Sequence, residues 1–271
     1  MTNDHNKAYK AQMTIYMKAR LFFFMTIMAT IISGCRNNYD IRTETIQDND
    51  TAALCEGCPG TFEFSASLEF PVGGLKDEAL RNIQNSITSV IFGKEYKQSG
   101  ISSIINEYKQ EAILNYRDSN LEEWKEFGQE EEWGASFSWV EGINAKFLKK
   151  YNGLQSYSIY RYGFTGGAHG IDSEEAIVFD LKSGKVITAD DIFKSGWENT
   201  MSQLLSSHLK EAYEDPEAYE MLFVKEIEPN GNFYVTEVGI TYIYGRYEIG
   251  PYVVGITKVT VPWDELNEIL K

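Results

Sequence analysis

Phe62, Phe64, Ala66, Leu68 and Phe70 alternate with Glu63, Ser65, Ser67 and Glu69. A period of two puts the five apolar side chains on one face of a strand and the four polar ones on the other. The chain must therefore build a sheet with one buried face and supply a layer to cover it. Pro71 and Gly73-Gly74 end the strand. The cover follows at once: Leu80, Ile83, Ile87, Val90 and Ile91 recur at helical spacing, and Ile101, Ile104, Ile105, Tyr108 and Ala112 do so again after the break at Gly100. Two amphipathic helices on the sheet are expected. Glu122, Glu123, Glu126, Glu130, Glu131 and Glu132 then form an acidic connector carrying Trp124, Phe127 and Trp133, which fits an exposed helix or a docking loop.

Strand signals resume with Phe137 and Trp139, then Ala145 and Phe147, then Tyr160, Tyr162 and Phe164 at period-two positions, with Tyr157 and Ile159 on the opposite face. Turns are read at Glu141-Gly142 and at Asn152-Gly153, the second a strong hairpin signal because both residues tolerate positive φ. Ala176 to Leu181 and Val186 to Thr188 read as a strand pair around Lys182-Ser-Gly-Lys185. A helical turn starts at Asp190-Asp191-Ile-Phe193, and Trp197, Met201, Leu204, Leu205, His208 and Ala212 share one helical face. Strands are expected over 233–243 and 253–261, and a closing helix from Pro262-Trp263-Asp264 with Leu266, Ile269 and Leu270 inward. The expected architecture is α+β, with mostly antiparallel sheets, helices packed on one side, and two intimately associated subdomains over 60–165 and 166–271.

The N-terminus supplies an address. Lys18 and Arg20 precede the apolar run Leu21 to Ile32, and Ile32-Ser-Gly-Cys35 follows, the layout of a signal peptide over 1–34 ending in a lipobox. The run is short of the roughly 20 apolar residues that a spanning helix needs, and Ser33 and Gly34 suit a peptidase. Cys35 is then the lipidated first residue of the mature chain, held to the membrane by its acyl chains. The segment resembles the start of Gram-negative lipoproteins, and with Arg36 in place of Asp that resemblance implies no inner-membrane retention signal, so outer-membrane sorting is expected, with the periplasmic and surface faces both open. Residues 36–53 are rich in Asn, Asp and Thr without apolar periodicity, and read as a flexible spacer. With Cys35 lipidated, Cys55 and Cys58 remain as an even pair, which in an oxidising envelope forms a local disulfide clip within the 35–59 segment.

Losing residues 1–34 removes Lys7, Lys10, Lys18, Arg20 and Asp4 and takes the formal charge from −15 to −18. Nucleic acid, which needs a basic footprint, is excluded as a partner, and a basic protein is favoured by the same sign argument. Only His169 and His208 survive maturation. His208 lies on an apolar helix face and reads as a hydrogen-bonded core residue. Two histidines and one Cys pair make no metal site, and no phosphate loop or dinucleotide fingerprint occurs, so neither metal nor cofactor is expected.

The segment Tyr162-Gly-Phe-Thr-Gly-Gly-Ala-His-Gly170 closes a strand with a glycine turn, because Gly166, Gly167 and Gly170 reach φ > 0 without a Cβ clash. Together with Tyr247-Glu-Ile-Gly-Pro-Tyr-Val-Val-Gly255 and Val261-Pro-Trp-Asp-Glu-Leu266, it resembles the paired DUF4163 and DUF3298 domains of bacterial envelope proteins over about residues 60 to 270. The resemblance implies a DUF4163-like half over 60–165 and a DUF3298-like half over 166–271. It also implies relatives among the extracytoplasmic parts of lysozyme-sensing anti-sigma factors and the accessory domains of peptidoglycan deacetylases.

A binding module leads the functional reading, its ligand a lysozyme-type protein or a peptidoglycan fragment. Contacts are expected from Tyr162, Thr165, Gly166, Gly167 and His169 in the turn and from Tyr242, Tyr244, Tyr247 and Tyr252 beyond it, since tyrosines join apolar area to a polar tip. The rival is a cell-wall hydrolase centred on His169, paired with Asp172 or Glu174 and poising Thr165 or Ser173. Against it stands a His169 that merely pins the turn. A third reading is an envelope assembly factor.

Overall fold

The computed structural model of the protein describes residues 39–58, 60–93, 100–127 and 136–271. The signal peptide, Cys35 and the connector residues 130–133 lie outside them. Residues 39–271 form one compact unit, built on a five-stranded and a three-stranded sheet.

The strand expected from Phe62 to Phe70 is β2 (Thr61–Gly73). Its alternation places Phe62, Phe64 and Leu68 in the core, where two helices, α1 (Asp77–Phe92) and α2 (Ile101–Phe127), cover them. Ile83, Ile87, Ile104 and Ile105 fill the interface almost without exposure, each contributing roughly 1.5–3 kcal/mol by leaving water. The helices carry the chain across to β3 (Trp139–Phe147), parallel to β2, and β4 (Leu154–Phe164) and β5 (Ile171–Asp180) follow antiparallel. Asn152 and Gly153 turn β3 into β4 with φ of 47° and 81°, as the dipeptide requires.

Residues 42–53 are a strand instead of spacer. β1 (Arg42–Ala53) pairs with β2 from Arg42↔Gly73 to Ala53↔Thr61 and forms one edge of the sheet order β1-β2-β3-β4-β5. Its polar residues disguise it, because an edge strand can point charge inward when a partner is supplied. Here Lys109 of α2, 7% exposed, reaches Asp48 at 2.8 Å and Asp50 at 3.2 Å. The Asp48 hydrogen bond leads the effects on its ammonium and outweighs burial, which acts the other way, so the Lys109 pKa is raised. Cys55 and Cys58 form a disulfide in the turn that follows, with Cα atoms 5.1 Å apart.

Two further expectations are corrected. Glu141-Gly142 lies inside β3 and makes no turn. In β4 the inward set is Tyr157 and Ile159, both 0% exposed, whereas Tyr160 and Tyr162 face outward. Arg161 hides this register: it shares the helix-side face and donates to the Val90 and Ile91 carbonyls at 3.0 and 2.8 Å, satisfying the C-terminal end of α1.

The second sheet, order β6-β7-β8, comprises Phe233–Val235, Gly239–Tyr244 and Thr257–Pro262. The single strand expected over 233–243 is thus two, the last strand starts later than residue 253, and the closing helix is a 3-10 turn, Trp263–Leu266. Short helix α3 (Ala189–Ile192), α4 (Glu198–His208) and α5 (Pro216–Glu220) precede the sheet. Met201, Leu205, Leu209, Val259 and Val261 pack a second core. The boundary expected at 165/166 falls between β4 and β5, which pair from Leu154↔Asp180 to Gly163↔Ile171; the first sheet therefore runs on through Asp180.

Besides the Lys258–Glu174 ion pair, two neutral side chains help to join the sheets. Ser156 Oγ donates to the Val235 carbonyl and accepts from the Val235 N–H, both at 3.0 Å. The Asn232 amide accepts from Ala176 N–H at 2.9 Å and donates to the Glu174 carbonyl at 2.8 Å. Ser156 thus meets the Val235 backbone of β6, and Asn232 the open backbone edge of β5, with the paired bonds of a strand neighbour. Among the described residues no helix is long and apolar enough to cross a membrane.

Candidate functional site

The glycine turn after β4 has Gly166 and Gly167 at φ of 89° and 88°. At Gly170 the constraint is space: a Cβ there would fall 2.4 Å from Tyr162 Oη. The turn is held by the segment after β7. Tyr252 Oη donates to the Gly170 carbonyl at 2.6 Å, and the His169 ring stacks on the Tyr252 ring with centroids 4.0 Å apart. The Arg246 guanidinium also lies against that ring, 4.1 Å from its centroid, and donates to the Tyr252 carbonyl and to Asp172. Asp172 accepts from Tyr160 Oη at 3.0 Å as well. Hydrogen bonding from Arg246 holds the Asp172 carboxyl below its ordinary value despite partial burial, and the same bond raises the Arg246 pKa.

Two of the expected segments, around His169 and around Tyr252, therefore meet. The hydrolase geometry does not assemble. His169 Nδ1 lies 3.2 Å from the Gly170 carbonyl, Asp172 is committed to Arg246 and Tyr160, and Glu174 binds Ser158 and Lys258. These contacts make His169 part of the pin that fixes the turn. Thr165 is exposed, and nothing lies within 4 Å of the Cβ position of Gly167. Tyr247 is exposed at φ 64° with its ring 5.9 Å from that of Tyr252. Tyr242 and Tyr244 belong to the core instead: Tyr244 Oη donates to the Glu228 carbonyl at 2.9 Å, and the buried Tyr242 phenol has no partner among the described residues. Their even numbers place them on the packed face of β7, a register invisible in a run of alternating aromatics. Arg246 was the residue missed, a lone cation in an aromatic segment.

His208 bridges two carboxylates, Glu211 at 3.3 Å and Glu265 at 3.0 Å. It is hydrogen-bonded as expected, but by a polar bridge at the end of α4 more than by the core.

The outer face of the first sheet is a second surface. The second sheet covers its lower part and leaves the rest open as a trough, with cavities of about 470 and 340 Å³. Strand register lays two rows of outward residues across it: Asn49, Ser65, Gly142 and Tyr162, and beside them Gln47, Ser67, Asn144 and Tyr160. On β5 the rows end at Asp172 and Glu174, carboxylates already paired with Arg246 and Lys258. Among the described residues no group of three or more His, Cys, Asp or Glu side chains is placed to hold a metal ion.

These features define a two-sheet α+β domain carrying a pinned aromatic turn and an open polar sheet face. Residues 190–264 match the family described as Protein of unknown function (DUF3298). The match takes in α3 through β8, and leaves the His169 turn and the trough floor outside it. The chain is similar in structure to a member of the DUF3298 family from Bacteroides fragilis NCTC 9343, at 26% identity and a TM-score of 0.78, with 87% of this chain and 96% of that one covered. It also shares the fold of a DUF3298 family protein from Pseudomonas aeruginosa PAO1, at 17% identity and a TM-score of 0.62, with the same coverage of 87% and 96%. No curated protein matches the chain.

Proposed function

We propose that the chain is an extracytoplasmic binding module, anchored through lipid on Cys35 to the outer membrane, whose ligand is a basic protein of the lysozyme type. The observation that carries this is an apolar surface formed by two adjacent loops. Residues 221–224 run beside 247–254, tied by the bond from Phe223 N–H to the Ile249 carbonyl at 2.9 Å and by Leu222 packed under Gly250. Phe223 is 62% and Val253 73% exposed, with Met221, Val224 and Tyr247 exposed around them. Exposed apolar side chains gathered on adjacent loops support a protein-binding role.

Charge selects the class of partner. Glu214, Asp215, Glu217, Glu226 and Glu228 are exposed on the flanking chain, so an anionic membrane or polymer is repelled and a cationic protein surface is steered in. A peptidoglycan fragment would not use this rim. The His169 hydrolase has lost its supporting arrangement, and an envelope assembly factor would use the same patch for a different protein.

The test is titration of the chain lacking residues 1–34 with a c-type lysozyme at low and high salt. Binding that weakens with salt, and is lost in the Phe223→Asp, Val253→Asp double variant, supports the reading. Absence of binding at low salt refutes it and directs the search to other envelope proteins.

A further inference from the structure

We propose that the open face of the five-stranded sheet is a saccharide site, a trough for an uncharged glycan chain lying across β1 to β4. The site is independent of the apolar loops and of the protein ligand argued for them.

The lining is the first argument. About a quarter of the chain is charged (24%), yet the central cavity is bounded by amides, hydroxyls, small residues, two tyrosines and the aliphatic Val140 and Ile143, with no charged side chain among them. Charges begin at its margins, with Glu63 and Lys146. An ionic polymer would find no counter-charge on this floor. A neutral one would avoid the desolvation cost that an unpaired charge would meet.

The second argument is that the polar groups are unspent. The side chains of Gln47, Asn49, Ser65, Ser67 and Asn144 make no hydrogen bond to the other described residues. Amides and hydroxyls both donate and accept, the capacity needed to meet sugar hydroxyls, which do the same.

Shape is the third argument. Gly142 sits between Ser65 and Tyr162 in one row, and a Cβ at this position would lie 3.3 Å from Ser65 Oγ and 3.9 Å from Tyr162 Cβ. The missing side chain leaves a notch in the floor. Tyr160 and Tyr162, 37% and 38% exposed, stand beside it, offering ring area to the apolar face of a pyranose. Three strand spacings from β1 to β4 give a floor of about 14 Å, long enough for an oligosaccharide to contact several side chains at once.

Gly142 also provides the test, because a β-branched residue there fills the notch while suiting a strand better than glycine does. The chain lacking residues 1–34, its Gly142→Val form and its Asn144→Ala form would be titrated by calorimetry with two neutral probes, chitohexaose and cellohexaose. Melting temperatures would be measured in parallel. Expected is binding of at least one probe, changed little between low and high salt, and weakened about tenfold or more in both variants, by the loss of one or two hydrogen bonds in Asn144→Ala and by the filled notch in Gly142→Val, with Asn144→Ala keeping the parent's melting temperature. Asn144→Ala decides the matter alone should Gly142→Val not fold. No binding of either probe at about 10 mM, a ceiling corresponding to under 3 kcal/mol, would overturn the proposal. So would undiminished binding by the variants. The salt response separates this site from the protein-binding loops, whose failure would leave it untouched.

Discussion

His169 lies against the ring of Tyr252, the two centroids 4.0 Å apart and the planes 26° from parallel. The stack joins residues 83 positions apart, and the Tyr252 phenol closes it onto the Gly170 carbonyl. Tyr252→Phe is expected to cost about 0.5–1.5 kcal/mol for the lost hydrogen bond. His169→Ala should cost a similar amount, since an aromatic pair contributes about 0.5–1.5 kcal/mol beyond its buried area. Urea denaturation measures both. A His169→Ala protein of unchanged stability would remove the pin and return the histidine to consideration as a chemical group.

Asp172 and Arg246 form the least exposed ion pair of the turn cluster. Asp172→Asn leaves the guanidinium half-buried without its carboxylate, and a loss of roughly 2–4 kcal/mol is expected, low in the range for breaking buried pairs because both groups keep some water. The Asp172 pKa is lowered below 3.8 in the folded state. Its contribution is therefore complete above about pH 3.8 and lost as pH falls through the folded value. Acid unfolding curves of the parent and Asp172→Asn should converge at the acid end.

For His208 the sign is opposite. Burial acts to lower its pKa, but hydrogen bonds donated to Glu265 and Glu211 outweigh it and the value is raised above 6.5. Protonated His208 thus stabilises the fold fully below about pH 6.5, and the contribution disappears as pH rises through the folded value. Thermal melts between about pH 6 and 8 should show the parent losing stability relative to His208→Gln. Parallel curves would sink the assignment.

Tyr242 offers a gain. Its phenol is buried without a partner among the described residues, and burial raises its pKa. Tyr242→Phe removes an unsatisfied hydroxyl and keeps the ring that packs on Phe233, so stability is expected to rise by up to about 1 kcal/mol. A loss of that size would show that the hydroxyl has a partner after all, such as a buried water.

Lys109 tests the edge strand. Lys109→Met leaves Asp48 and Asp50 facing the core side of β1 without their cation, two like charges at alternate positions of one strand. Hydrogen exchange over 42–53 should accelerate well ahead of exchange in β2. Uniform acceleration would mean that β1 and β2 open together.

What could be read in the sequence was whatever repeats locally. Phe62 to Phe70 announced β2, Ile83 to Ile91 announced α1, and Asn152-Gly153 announced a hairpin, because each pattern is fixed by the backbone period of its own element. β1 was misread as spacer since its partners, β2 and Lys109, lie up to tens of residues away and its own residues are polar. The same reason hid the inward face of β4: Arg161 breaks the apolar pattern to cap α1. The His169 and Tyr252 segments were singled out separately, but their stacking depends on tertiary placement. The trough is spread over four strands, and its only local trace was the pair Ser65 and Ser67 between the charges of Glu63 and Glu69.

Ser156 and Asn232 tie the second sheet to β4 and β5 through four hydrogen bonds that imitate strand pairing. A pull exerted on the C-terminal half by a captured partner would be shared between two neighbouring strands of the other sheet. The protein would then bear tension as a single mechanical body, passing load from its loops toward the end of the chain that begins at β1.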